Sequence, residues 1–247
     1  MSKEDVLKEC TVDGLVVKLP NSKLDRKVYL EVAKSLELIG GKWKGGKIAG
    51  FVFPQDPTDL LNQIANGEKR NLKKEFQFFA TPEKLADELI ELSEIKSSMS
   101  ILEPSAGQGA IINSIHKIEP NIIVDCCEAM DVNKLFLNKL KNINLLCDDF
   151  LELKTISKKK YDRIIANPPF SKNQDIDHIS EMYNHLAEGG KLVSIASKHW
   201  QFASNKKETK FREWLNNLDH EVIEVDGGSF KESGTMISSV IIVINKN

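Results

Sequence analysis

Ile101-Leu102-Glu103-Pro104-Ser105-Ala106-Gly107-Gln108-Gly109 joins an apolar run to a glycine-rich turn. A short apolar strand runs into a turn with two glycines, where the backbone can bend sharply and approach a ligand closely. The turn opens a helix over 109–118. Taken alone it is equally an ordinary tight strand-to-helix turn, but the chain repeats the unit. Strands are expected at 99–103, 122–128, 145–147, 163–166, 191–196, 221–225 and 239–244, with further helices at 132–141 and 176–188. Several of these strands are β-branched runs without alternation, as in a parallel sheet buried on both faces. Gly189-Gly190 is expected to stop the helix before it. The last two strands are joined through Asp226-Gly227-Gly228-Ser229-Phe230 and Gly234, too short a link for a crossover helix, so they are expected to run antiparallel. The sequence predicts an α/β fold: a seven-stranded, mostly parallel sheet with an antiparallel last strand.

Residues 1–74 read as a separate, small N-terminal α+β module, and 75–247 as the main domain. A helix is expected over 24–38, capped by Gly40-Gly41. A hairpin over 43–53 turns at Gly45-Gly46, and Asp56-Pro57-Thr58-Asp59 starts a helix over 60–66 that stops at Gly67. The formal net charge of −2 gives no global field that attracts nucleic acid. Local basic clusters exist at Lys42, Lys44 and Lys47; at Lys69, Arg70, Lys73 and Lys74; at Lys158–Lys160; and at Lys206, Lys207 and Lys210. Each reads as a solvated surface or, taken together, as a phosphate-contacting face. Cys10, Cys126, Cys127 and Cys147 lack metal-ligand spacing, so no metal site is expected and reduced thiols are. The polar N-terminus does not read as a signal peptide, and no apolar run approaches the ~20 residues that span a membrane. A soluble, cytoplasmic protein is expected.

Two features after the glycine turn carry chemistry. Glu128 ends the second strand 25 residues beyond Glu103, where a carboxylate can accept from both hydroxyls of a ribose. Asp149-Phe150 ends the third, where a carboxylate and a backbone amide could read an adenine edge; Asp148 is the adjacent rival. A nicotinamide fingerprint would need a small residue three positions after Gly109, but Ile112 stands there. That favours S-adenosylmethionine, which has no phosphate to cradle. The second feature is Asn167-Pro168-Pro169-Phe170, directly after the strand Tyr161–Ala166. A planar exocyclic amine is a poor nucleophile because its lone pair is delocalised into the ring. The Asn167 side-chain oxygen and the Pro168 carbonyl can pull on its hydrogens, Pro169 keeps the backbone out of a helix, and Phe170 can lie flat on the ring. The plain alternative is a strand ending in a proline turn.

With these motifs the chain resembles the N6-adenine-specific DNA methyltransferase family, class I S-adenosylmethionine-dependent enzymes of Rossmann-like fold. Their motifs run from a Phe-x-Thr-Pro segment, here Phe79-Ala80-Thr81-Pro82 before a helix over 83–92, through the glycine loop to Asn-Pro-Pro-Phe/Tyr. The likeness covers about residues 76–247. It implies a methyl transfer to the N6 amino group of adenine in DNA, direct and in line. It implies that Asn167, Pro168, Pro169 and Phe170 are catalytic. Phe79, Thr81, Glu103, Ala106, Gly107, Gly109, Glu128, Asp149, Phe150 and Asn167 would hold S-adenosylmethionine. Asp175, Asp177 and His178 begin the next helix as in family members, with His178 read as structural. Phe230 stands where the family often places a second aromatic.

The chain departs from restriction-type members in one respect. Only 77 residues follow Phe170, and the last strands use most of them, so a large target-recognition domain is not expected there. Recognition would come from residues 1–74, from loops, or from a protein partner or self-association. Two loops could reach nucleic acid: Ser171–Asp175, and Lys198–Lys210 with its His199, Trp200, Phe202, Lys206 and Lys207. The second is equally read as an ordinary loop with an anchoring Trp. No cysteine stands beside Pro168-Pro169, which argues against C5-cytosine chemistry. RNA (adenine N6 or guanine N2) and, less so, a protein glutamine amide remain alternative substrates, and a non-catalytic binding module is the alternative of another class.

Overall fold

The computed structural model describes residues 2–53, 56–70, 81–225 and 238–247. Phe79, Phe230 and the glycines at 227, 228 and 234 lie outside the described residues. The chain divides into two compact units, Met1–Gln77 and Phe78–Asn247.

The first unit contains α1 (Lys3–Glu9), β1 (Thr11–Asp13), β2 (Val16–Lys18), α2 (Arg26–Leu38), β3 (Lys42–Lys44), β4 (Gly50–Val52) and α3 (Thr58–Ala65). Its strands form an antiparallel sheet in the order β1-β2-β4-β3. Local chemistry sets the helix ends. Ser2 Oγ accepts from the Asp5 amide at 3.2 Å and Asp5 Oδ2 from the Ser2 amide at 2.8 Å, a reciprocal cap on α1. Asp56 Oδ1 accepts from the Thr58 amide at 2.9 Å at the start of α3. Val6, Leu7, Val17, Val32, Leu36, Phe51, Phe53 and Ile64 fill its own core.

The second unit is built on a seven-stranded sheet. Its elements are α4 (Glu83–Ser93), β5 (Ile101–Glu103), α5 (Ala110–Ile118), β6 (Val124–Cys127), α6 (Asp131–Leu137), β7 (Ile143–Cys147), α7 (Leu153–Ile156), β8 (Tyr161–Ala166), α8 (Gln174–His185), β9 (Leu186–Ser197), α9 (His199–Phe202), α10 (Lys206–Leu215), β10 (Asp219–Glu224) and β11 (Ser239–Asn245). The order is β10-β11-β9-β8-β5-β6-β7. The pairs from β9 through β7 are parallel, and β11 is antiparallel to both β9 and β10. The Rossmann-like α/β architecture and its antiparallel last strand are as expected. The last strand is not at the edge, however: β11 inserts between β9 and β10.

Both faces of this sheet are covered, which is why its strands read as unbroken apolar runs. Ile101, Val124, Ile165 and Val193 pack on one face with Leu85, Leu89, Ile112 and Ile115. Leu102, Ile164, Leu192 and Ile242 pack on the other with Ile176, Ile179, Met182 and Phe211. Adjacent residues go to opposite faces, as the pleat requires.

Two expected helix ends fall earlier in the chain: the helix expected over 132–141 ends at Leu137. The helix expected over 176–188 ends at His185, and Gly189-Gly190 lies inside β9 rather than stopping the helix. The pair takes up a register shift in which five residues of β9, 186–190, span what two residues of β8 span. Gly189 is left-handed (φ 74°) and its amide donates to the Lys246 carbonyl at 2.7 Å, while the Gly190 carbonyl accepts from the Lys246 amide at 2.9 Å. A bulge and a helix stop both need a residue free to adopt positive φ, so the dipeptide alone does not separate them.

Candidate active site

Parallel strands place their C-terminal ends on one edge of the sheet, and there the loops after β5, β6, β7, β8 and β9 meet. The glycine turn after β5 is tied to its neighbour: the Ala106 amide donates to the Cys127 carbonyl at 3.0 Å. Gly109 precedes α5 with φ 83°, a conformation that costs an L side chain but not glycine. Glu128, nearly buried, joins the turn to the start of α6. Its Oε2 accepts from the Gly107 amide at 2.7 Å, and its Oε1 from the Met130 amide at 2.8 Å and Asn133 Nδ2 at 3.1 Å. A carboxylate offers about four lone-pair sites. Three are occupied within the protein, which leaves about one for a ligand donor.

Glu103 lies deeper. It is 1% exposed, and its Oε2 has no hydrogen-bond partner among the described residues. Burial, with the Glu128 charge adding to it, raises its carboxyl well above the usual carboxylate range. Two acids facing one concave turn call for a cation. S-adenosylmethionine carries a sulfonium and an ammonium, so the donor set fits this cofactor. Glu103 would face its amino-acid end, and the Gly107 turn would allow close backbone approach.

At the end of β7 the adjacent aspartates separate. Asp148 pairs with Lys134 Nζ at 2.7 Å, whereas Asp149 Oδ1 caps the following turn through the Leu151 amide at 2.9 Å. The Phe150 side chain is 1% exposed, with its ring 5.5 Å from that of His178 and 5.8 Å from that of His185, so only its backbone can meet a ligand. His178 is itself buried, and that burial pushes its imidazole down to about 4, which makes it a neutral packing group. The thiols are free, and burial pushes that of Cys126 up to about 12.

The tetrapeptide closes β8. Asn167 Nδ2 donates to the hydroxyl of Thr81 at 3.1 Å, joining residues 86 apart in sequence. The bond orients the amide and ties the Phe-x-Thr-Pro segment to the Asn-Pro-Pro-Phe segment; Phe79 lies outside the described residues. Pro168 is buried, and among the described residues no backbone amide donates to its carbonyl. Phe170 is half-buried, with one side on the apolar cluster around Leu89, Ile165 and Ile195.

The loop after β9 resolves its two readings residue by residue. Trp200 is 5% exposed and meets Phe211 edge-on at 5.2 Å, an anchor rather than a stacking platform. Phe202 is 82% exposed, on a turn held by Arg212 Nη1, which donates to the carbonyls of Trp200 and, at 2.8 Å, Ala203. Sequence reading missed Asn133, Arg212 and Glu208, because Glu128, the carbonyls of Trp200 and Ala203, and Asn173 lie outside their own helices and leave no local pattern.

Among the described residues, no cluster of histidine, cysteine or acidic side chains could hold a metal ion, and no helix is long and apolar enough to cross a membrane. Among curated proteins, none matches the sequence. Solved structures share the fold at low identity. The type I restriction-modification system methyltransferase subunit from Streptococcus thermophilus is 17% identical, with a TM-score of 0.61, over 90% of this chain and 54% of its own. The chain thus spans about half the length of that subunit. The O-methyltransferase TomG from Streptomyces achromogenes is 12% identical, with a TM-score of 0.55, over 71% of this chain and 86% of its own. The precorrin-6y C5,15-methyltransferase from Geobacter metallireducens GS-15 is 16% identical, with a TM-score of 0.50, over 68% and 91%. Residues 85–222, more than half of the chain, match the methyltransferase small domain, and the chain belongs to that family of class I S-adenosylmethionine-dependent methyltransferases.

Proposed function

We propose that the protein transfers a methyl group to the exocyclic N6 amino group of adenine in DNA. The observation that carries this reading is the oriented Asn167 at the end of β8, bonded to Thr81 and followed by Pro168, Pro169 and Phe170. S-adenosylmethionine supplies an electrophilic methyl on a positively charged sulfur. Glu103, the Gly107 turn, Glu128 and Asp149 bind and orient that cofactor. Asn167 Oδ1 and the Pro168 carbonyl accept from the amine hydrogens and draw its lone pair out of conjugation. As the nitrogen–carbon bond forms, the carbon–sulfur bond breaks with its electron pair going to sulfur. The nitrogen's extra proton leaves past the two acceptors to water. Catalysis is then positioning plus electrostatic stabilisation of charge developing on nitrogen. Phe170 offers its outer side to the base.

DNA is favoured over a small-molecule substrate by coverage. The restriction-system subunit aligns with 90% of the chain, which must include part of the first unit, whereas the two small-molecule enzymes align with 68% and 71%. Residues 1–74 and the segment around Phe202 are the candidate recognition surfaces. The test is transfer of label from S-adenosylmethionine to duplex DNA, single-stranded DNA, ribosomal RNA and bulk protein offered separately. Label is expected in DNA, with kcat reduced about a hundredfold or more in Asn167→Ala, the scale of removing one preorganised group at developing charge. Label in RNA alone overturns the substrate, and undiminished label with Asn167→Ala overturns the mechanism.

A further inference from the structure

The loop that follows the tetrapeptide is held in an unusual conformation. Lys172 (φ 53°) and Asn173 (φ 59°) are consecutive left-handed residues, and neither is glycine. Such a pair persists only where its surroundings over-determine it. Here the restraint comes from α10, more than thirty residues away. Asn173 Nδ2 donates to Glu208 Oε1 at 2.7 Å, and Lys207 Nζ donates to the Lys172 carbonyl at 3.2 Å and to Asp177 Oδ2 at 2.5 Å. Glu208 is a charged side chain with no exposed surface. Its Oε1 also takes Asn205 Nδ2 at 3.2 Å and faces His199 Nε2 at 3.4 Å, while its Oε2 has no partner among the described residues. Two amide donors converge on one oxygen beside the His199 ring, and one of them is the side chain of a strained residue.

The far end of the same loop is fixed separately. Asp175 Oδ2 accepts from the Ser197 amide at 2.9 Å and from its hydroxyl at 2.8 Å, which pins the start of α8 to the end of β9. Between that pin and β8, Asn167 is tied to Thr81 at the start of the segment, and the Glu208–Asn173 bond anchors the part of it that follows Phe170. A buried carboxylate is a costly way to hold a surface loop, and an apolar contact would serve stability equally well. A hydrogen bond of fixed direction is what positioning requires.

We propose that Glu208 is a positioning residue for methyl transfer: through Asn173 it locks the left-handed pair after Phe170 and so holds the tetrapeptide in its acceptor geometry. The inference rests on the tetrapeptide being the reacting site. Glu208 does not touch substrate; it acts through Asn173 and Lys172 on the placement of Phe170 and the Pro168 carbonyl.

The test compares Glu208→Ala, Glu208→Gln and Asn173→Ala with the intact chain. Steady-state transfer to duplex DNA, calorimetric binding of S-adenosylmethionine, and amide hydrogen exchange over residues 167–175 are measured together. Glu208→Ala and Asn173→Ala should each lower kcat by about tenfold to a hundredfold, the scale of a displacement of about 1 Å. KM and affinity for S-adenosylmethionine should stay unchanged, and exchange at Phe170–Asn173 should speed up. Glu208→Gln keeps an acceptor oxygen for Asn173 and should restore both kcat and slow exchange. Asn173→Ala removes the bond while leaving Glu208 its other donors, so it decides the matter even where Glu208→Ala fails to fold. Unchanged kcat in Asn173→Ala, or a Gln variant as impaired as Ala, overturns the proposal. Should the intact chain label no DNA, the substrate reading fails while the exchange experiment still decides the latch: unaltered exchange at Phe170–Asn173 in both Ala variants overturns it.

Discussion

At the scale of single residues, the proposed cofactor role of Glu103 predicts that the site trades stability for binding. Its folded-state carboxyl is raised by burial and by Glu128, whereas an unfolded glutamate titrates near ~4.3. Below that value both states hold the proton and Glu103 contributes nothing to pH dependence. As pH rises past it the unfolded chain releases its proton first, so stability falls until the folded carboxyl also ionises. Glu103→Gln should therefore melt at the same temperature as the parent near pH 4 and at a higher one at neutral pH, in the absence of cofactor. The same variant should bind S-adenosylmethionine at least about tenfold more weakly, since a hydrogen bond to a charged group is worth ~1.5–3 kcal/mol. Calorimetry of melting and of binding on one preparation checks both. A variant that melts lower at neutral pH would show that the hydrogen bond from the Ile112 backbone to the Glu103 carboxylate outweighs the cost of its burial. Glu128 was legible in the sequence as an acid at a strand end, but its three internal donors were not. Two of them, Met130 and Asn133, come from the turn and helix that follow it, and nothing in their residue types marks them as ligands of a carboxylate.

At the scale of elements, α9 and α10 divide their aromatic side chains between two jobs. Trp200 and Phe211 meet in the core, while Phe202 stands outside on a turn clamped by Arg212. Phe202→Ala should leave the melting temperature nearly unchanged and raise KM for a nucleic-acid substrate about tenfold, because stacking on one base is worth ~1–3 kcal/mol. Trp200→Ala should instead cost ~3–5 kcal/mol of stability. Paired denaturation and kinetic measurements separate the two, and a Phe202→Ala enzyme with unaltered KM would remove this segment from the substrate path. The sequence showed the aromatic and basic content of this segment, but not which ring faces inward. That depends on α10 packing on the sheet through Phe211 and Leu215. The strands buried on both faces were readable because burial selects continuous apolar runs. β1 and β3 were harder: β1 was missed and β3 was seen only as half of a hairpin, since each is three residues long with every residue exposed. No alternation can develop over that length. The place of β11 between β9 and β10 is likewise a matter of pairing at a distance, which local pattern does not record.

At the scale of the whole molecule, the buried side chains fall into clusters that keep to their own stretch of chain. One is drawn wholly from residues 6–65, and the two that sandwich the seven-stranded sheet are drawn from residues 85–244. Where each unit melts as its own cooperative body, no single unfolding free energy is defined for the chain. Scanning calorimetry should resolve two transitions. Leu36→Ala and Ile164→Ala remove fully buried side chains from different units. Each should lose ~2–5 kcal/mol, the first lowering only the transition of residues 1–77 and the second only that of residues 78–247. The proposed cofactor residues all lie in the second stretch, so S-adenosylmethionine at a hundred times its Kd should add ~2.7 kcal/mol to that transition alone. Its failure to move either transition would separate the fold from the cofactor assignment. One transition that moves as a block with both substitutions would show that the two cores unfold together. In that case the first unit is part of the catalytic body, and substrate recognition by residues 1–74 would have to be tested in the intact chain, not in a separated fragment.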